Sequence, residues 1–303
     1  MISVIISSIK KDLLEQCCKS IEETIGTEYE LIVFDNTVEN KGLCQIYNDC
    51  AKLAKYPFLC FCHEDIIFHS SQWGAILCDF VAQEKVGAVG VAGARVVSDF
   101  PYVWWNFYDA NRINVIQHDA NNRIRNWQSV NRPKYEEVLV LDGTFLLLRK
   151  EVWNEILFDP INFSRFHYYD IDFTYHVSFK YKNYVCNDIL IEHFSIGNIN
   201  SDWFEASLCF VEKWKNTLPA FIDAESTLKV ADQEKQNLFW YIRSLVLQSN
   251  FSIYRIKKIA IFLNNKLKNN SIMEVKIYCW ILLFIIQKYL LKMYHILTDK
   301  KIK

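Results

Sequence analysis

The sequence predicts an α/β chain: a mostly parallel mixed sheet flanked by helices, with a helical C-terminal appendage. Three observations carry that expectation. Strand-like and helix-like stretches alternate within the first forty residues, the pattern of parallel strands joined by crossover helices. The apolar run Phe58-Leu59-Cys60-Phe61-Cys62 stops abruptly at His63-Glu64-Asp65, where a buried strand would reach a site at its carboxyl end. Beyond Pro219 the texture changes, with no glycine after residue 197 and apolar residues at helical spacing.

Composition sets the limits. A chain of 303 residues that is 51% hydrophobic and 15% aromatic can bury a sizeable core and is not a disordered polymer. Its formal charge of −1 conceals an asymmetry. From Phe251 onward eleven Lys and Arg face only Glu274 and Asp299, a net +9, which leaves −10 for the preceding part. A basic appendage serving a different surface is expected, with residues 1–220 as one domain and 221–303 as the appendage. Met1 runs straight into an apolar stretch without a basic leader, and the ten cysteines form no CxxC pair. A cytoplasmic protein with reduced thiols is therefore expected.

Ile2–Ser7 is β-branched and uncharged and reads as a buried strand. Asp12 can cap a helix in which Leu13, Leu14, Cys17, Ile21 and Ile25 share one face, and Gly26 ends it. Tyr29–Phe34 is the second strand and ends in Asp35-Asn36-Thr37; a helix from about Leu43 to Lys55 then leads into the strand before His63. The turn after the first strand, Ser7-Ser8-Ile9-Lys10-Lys11, has no glycine for a pyrophosphate to approach, and Gly87, Gly90 and Gly93 have the wrong spacing. That argues against dinucleotide binding, and against a sugar-1-phosphate nucleotidyltransferase, which would want a glycine-rich, basic first turn; no Walker A sequence occurs either.

The order Asp35-Asn36-Thr37, Asn40-Lys41-Gly42, Asn48 and then an apolar strand into His63-Glu64-Asp65 resembles the bacterial family 2 glycosyltransferases of the GT-A fold. The similar branch has a His-x-Asp version of the metal motif. The resemblance covers about residues 1–220. It implies that Asp35 meets the nucleotide base and that the His63, Glu64 and Asp65 triplet lies at the diphosphate. Asp65 would hold a divalent metal, Mn²⁺ or Mg²⁺, and His63, standing where Asp is usual, would be a metal ligand or a ribose contact.

Later segments extend the resemblance. Val86–Val97 reads as a strand with its flanks, followed by a loop-rich region from Ser98 to Glu137 whose Trp104, Trp105, Phe107, Tyr108 and Trp127 could stack on a sugar or fill the core. Leu139–Asp142 is a short strand ending in Asp142-Gly143-Thr144, and Phe145–Arg149 continues into a helix at Glu151–Ile156. Asp142 is either an acceptor or donor-sugar contact or a turn residue. In Phe166–Phe173, Asp170 falls on the family's catalytic base, with Tyr169 in place of the usual Glu; as plain chemistry, Asp170 and Asp172 could equally cap a helix. His193, after the strand Ile189–Ile191, matches a third metal contact, and Lys213-Trp214 closes the match.

Past that point Gln236–Leu247 and Phe251–Leu267 read as amphipathic helices. Ile277–Ile286 is too short to span a bilayer. Extended to Leu297 it gains a basic arc opposite Trp280, Phe284, Ile285 and Leu291, the pattern of an interfacial helix or of one packed on a neighbour or second subunit. The function implied is an inverting, metal-dependent transfer from a UDP-sugar to a hydroxyl of a glycan or lipid-linked glycan precursor. No nucleic-acid partner is expected. An inactive GT-A scaffold and a membrane-associated interaction protein are the competing classes.

Overall fold

The computed structural model describes residues 1–223, apart from 102, 119–122, 128–131, 196 and 198, together with 233, 237–244, 246, 279–283, 285–287 and 289. Alternation in the sequence becomes strand β1 (Ile2–Ser8), helix α1 (Lys11–Thr24), β2 (Tyr29–Asp35), α2 (Leu43–Leu53) and β3 (Phe58–His63). Both flanking strands run parallel to β1. Gly26, at φ 66°, supplies the left-handed residue that ends α1. Asp12 lies within the first turn of α1 and caps nothing. The turn ahead of that helix is held from outside, by Glu64.

Next come β4 (Ile66–Phe68), α3 (Trp73–Val81), β5 (Val86–Gly90), β6 (Ala92–Ala94) and β7 (Val96–Val97). The stretch 98–137 is less loop-like than its composition suggests. It carries a 3₁₀ turn (Trp104–Asn106), β8 (Asn111–Ile113), β9 (Val115–His118), β10 (Ile124–Trp127) and most of β11 (Tyr135–Val138). Then follow β12 (Val140–Leu141), β13 (Phe145–Arg149), α4 (Lys150–Glu155), α5 (Tyr169–Val177), β14 (Lys182–Cys186), β15 (Ile191–His193), α6 (Ser201–Lys213) and β16 (Ala220–Phe221).

The main sheet has the order β11-β14-β5-β13-β3-β1-β2. Strands β2, β1, β3, β5 and β14 run one way, while β13 and β11 are reversed. Reversal of β13 matters for the site. Its amino end, preceded by Asp142-Gly143-Thr144, lies beside the carboxyl end of β3, and the His63 amide donates to the Thr144 carbonyl at 3.1 Å. A second sheet, β10-β9-β15-β4, brings His193 to the same edge. Buried side chains pack on both faces of the main sheet, with Phe61 and Leu146 in one cluster and Cys60 and Leu147 in the other.

Of the expected C-terminal helices, residues 237–244 and 279–283 are helical, and Leu238, Tyr241, Ile242 and Val246 are buried in the main core. The expected helix Phe251–Leu267 lies outside the described residues, as do the lysines of the basic arc. No helix among the described residues is long and apolar enough to cross a membrane.

Candidate active site

Three side chains converge where the two sheets meet. His63 ends β3, Asp65 occupies the tight turn into β4, and His193 ends β15, which pairs antiparallel with β4. One ligand atom from each lies within 4.8 Å of the others. Asp65 Oδ1 is 3.8 Å from His63 Nδ1 and 3.5 Å from His193 Nε2. That oxygen is buried and accepts no hydrogen bond among the described residues. Burial alone would raise the Asp65 carboxyl, but the adjoining His193 and His63 outweigh it and hold it well below the usual carboxylate range.

Protons can be placed on this cluster from its neighbours. The Gln117 side-chain amide donates to the carbonyl of Ser195 at 2.5 Å and of His193 at 3.3 Å, which fixes its orientation. Its Oε1 therefore accepts from His193 Nδ1 at 3.0 Å, which leaves Nε2 as an acceptor; the Ser195 hydroxyl donates to it at 3.2 Å, and Asp65 Oδ1 lies 3.5 Å away. His63 Nε2 is likewise engaged, at 2.8 Å, by the hydroxyl of Tyr169. An ionised carboxylate oxygen without a donor, facing two imidazole nitrogens whose other nitrogens are occupied, is a donor set suited to a divalent cation. The residues fit the metal that the resemblance implies.

Asp170 lies in the first turn of α5 and lines the same cavity as His63 and His193. Its Oδ2 accepts the Gly143 amide at 2.7 Å. Burial, and secondarily the charge of Asp142, push its carboxyl up to about 7. Asp142 itself is fastened by its own turn: Oδ1 accepts from the Thr144 amide at 2.9 Å and from the Thr144 hydroxyl, and Oδ2 from Trp104 Nε1 at 3.2 Å. The residue before α5, Tyr168, is in the left-handed region at φ 63° and makes no side-chain cap, while the amides of Asp170 and Ile171 in the first turn also stabilise the Asp170 carboxylate.

A cavity of about 810 Å³ joins these groups and is lined by His63, Asp142, Asp170 and His193. Trp104, Trp105, Phe107, Tyr108 and Trp127 all line it too, so the aromatics of the 98–137 stretch face this space. Two expected residues lie elsewhere. Asp35 is exposed at the end of β2, two strands from His63, with Oδ1 accepting from the Thr37 amide at 3.0 Å and hydroxyl at 2.6 Å. Glu64, expected at the diphosphate, points away from the cavity. Its carboxylate accepts from the Ser8 hydroxyl at 2.6 Å, the Ile9 amide at 3.1 Å and the Lys10 amide at 3.0 Å, and so holds the β1–α1 turn. Gln117 and the hydroxyl of Tyr169 had no local signal.

Sheet order and site together define the class: a GT-A type nucleotide-sugar transferase architecture. The Glycosyltransferase like family matches residues 3–203, well over half of the chain, and the protein belongs to it. No curated protein sequence matches. Among solved structures, GalNAc-T7 with UDP, GalNAc and Mn²⁺ is 14% identical with a TM-score of 0.53, covering 90% of this chain; the chain spans only 57% of its length. TarS residues 1–349 from S. aureus in complex with UDP is 15% identical with a TM-score of 0.53, over 86% of this chain and 78% of that one. A mannosyltransferase from Pyrobaculum calidifontis with GDP-Man and Mn²⁺ is 12% identical with a TM-score of 0.50, over 95% and 86%. At these identities the likeness is one of fold.

Proposed function

We propose that the protein is an inverting, metal-dependent glycosyltransferase that moves a sugar from a UDP-sugar to a hydroxyl of a cell-surface glycan or lipid-linked glycan precursor. One observation carries this: a cation-competent cluster and a carboxylate with a pKa of about 7 open onto the same cavity. His63, Asp65 and His193 would hold the ion. A bound divalent cation neutralises charge that builds on the departing diphosphate, so no acid is needed there. Asp35, at the carboxyl end of β2, would meet the base. Asp170 would take the proton of the attacking hydroxyl, with a basicity matched to neutral pH. One carboxylate and a direct displacement give inversion. Asp142 would orient the donor sugar or the acceptor beside Asp170, and the tryptophans of the wall would stack on sugar faces.

The test is UDP binding with and without Mn²⁺. Metal should strengthen it in the parent protein, and Asp65→Ala should remove the dependence. At a hundredfold excess over Kd, bound ligand stabilises by about 2.7 kcal/mol, which a thermal melt resolves. Undiminished metal dependence in Asp65→Ala would discard the assignment, and no nucleotide binding by the parent would favour a scaffold.

The same reading puts the protein in the cytoplasm with its tail against the membrane. Trp280, Ile281 and Ile285 pack on the core, whereas Leu282, Leu283, Ile286 and Tyr289 are 52–61% exposed in a segment of net charge +9. Exposed apolar side chains within a basic tail suit an anionic lipid interface. Replacing Leu282, Leu283 and Ile286 by Gln should abolish salt-sensitive co-sedimentation with anionic vesicles. Unchanged sedimentation, or failure of the parent to sediment, would favour pairing with a second copy.

A further inference from the structure

Resting on the metal reading above, we propose that Tyr169 is a positioning residue for the cation cluster. Its buried hydroxyl sets the ring of His63 so that Nδ1 faces Asp65, and it ties that ring to the helix carrying Asp170. Tyr169 is only 4% exposed, and its hydroxyl lies 2.8 Å from His63 Nε2. A 180° flip of the imidazole would put carbon atoms where both nitrogens now stand. The flip would forfeit this hydrogen bond and turn Nδ1 away from Asp65 Oδ1, now 3.8 Å off. Burial keeps the phenol protonated and therefore neutral, so it adds no charge beside Asp142 and Asp170.

The path of the hydroxyl is made by the absence of a side chain. A Cβ on Gly143 would fall 2.0 Å from the Tyr169 oxygen and 2.4 Å from Cζ. That same glycine gives its amide to Asp170 Oδ2 at 2.7 Å. The Asp142-Gly143-Thr144 turn and the Tyr169-Asp170 pair thus interlock, and the ring of Tyr169 is further held edge-on by Tyr47 at 5.7 Å. Where base and cation cluster share one support, a shift of α5 moves both. Partners of the second nitrogen of a ligating histidine typically change metal affinity about 10–100-fold.

Tyr169→Phe removes one oxygen and keeps the ring. In the full chain with saturating UDP, Mn²⁺ affinity, read from the electron paramagnetic resonance signal of free Mn²⁺, should fall about 10–100-fold. UDP affinity measured in EDTA should be unchanged. Gly143→Ala keeps the hydroxyl but drives it aside, and should weaken Mn²⁺ binding in the same direction; it decides the matter if Tyr169→Phe does not fold. Parental Mn²⁺ affinity in a folded Tyr169→Phe protein overturns the proposal while the glycosyltransferase reading stands. Parental Mn²⁺ affinity in Asp65→Ala removes that underlying reading instead.

Discussion

Asp170 and Asp172 lie two residues apart on one helix, Asp172 buried and Asp170 half-buried beside the cavity, and their surroundings are opposite. Asp172 is saturated: Oδ2 accepts from Lys213 Nζ and Oδ1 from Trp214 Nε1, each at 2.8 Å. Burial lifts its carboxyl, but Lys213 and Trp214 pull back against that rise. Lys213 is in turn anchored to Asp159 at 2.8 Å. Asp170 pairs with no cation among the described residues. Burial and the charge of Asp142 push its carboxyl up to about 7 against the pull of the backbone amides around it. Helical spacing turns the two side chains about 200° apart, one to the cavity and one to α6. The same residue type is thus a reactive group on one face and a clamp on the other.

The largest test of this difference is Asp170→Asn. Asn keeps the shape and can still accept from Gly143, but it cannot take a proton. Turnover should fall about 10²–10⁴-fold while metal-dependent UDP binding holds. Near-normal turnover with the authentic acceptor would pass the role to Asp172 or Asp142.

A different loss is expected from Asp172→Asn. Its amide would either desert Lys213 or point a donor at it, though Asp159 still satisfies the ammonium. A buried hydrogen bond to a charged group is worth roughly 1.5–3 kcal/mol, so about 2 kcal/mol of stability should go, read as a lower melting temperature. Turnover measured well below that temperature should change little. A collapse of turnover without loss of stability would erase the distinction between the two carboxylates.

Legibility in the sequence followed the range of the interactions. Strands β1 and β3 and the first two helices announce themselves through local periodicity, and Asp65 through the abrupt end of a buried strand. Strands β8, β9 and β10 are three or four residues long, too short for a pattern, and hold their place through pairing with distant segments such as β15. Strand β13 reads as a lead-in to a helix because nothing local marks it as the reversed member of a parallel sheet. Gln117 meets His193 across 76 positions and Tyr169 meets His63 across 106, contacts that no window of sequence contains. Glu64 shows the converse. A carboxylate inside a motif looked functional, and the fold uses it to hold a turn.

The finest test separates the two causes that raise Asp170. Desolvation is the larger and the charge of Asp142 the smaller. A like charge disfavours ionisation, so Asp142→Asn should lower the Asp170 pKa, by less than the whole rise because burial remains. Activity requires ionised Asp170. In the parent, turnover should therefore rise with pH through about 7 and fall about tenfold per unit below it. In Asp142→Asn that acid limb should move to lower pH, with some loss of plateau rate as the base weakens. Asn can still accept from Thr144, so the turn that places Gly143 should persist. Rate profiles from pH 5 to 9 with saturating donor and metal would show it. An acid limb that stays put in Asp142→Asn, or that survives in the residual activity of Asp170→Asn, would mean that another group titrates, and the contrast between the two helix carboxylates would then not explain catalysis.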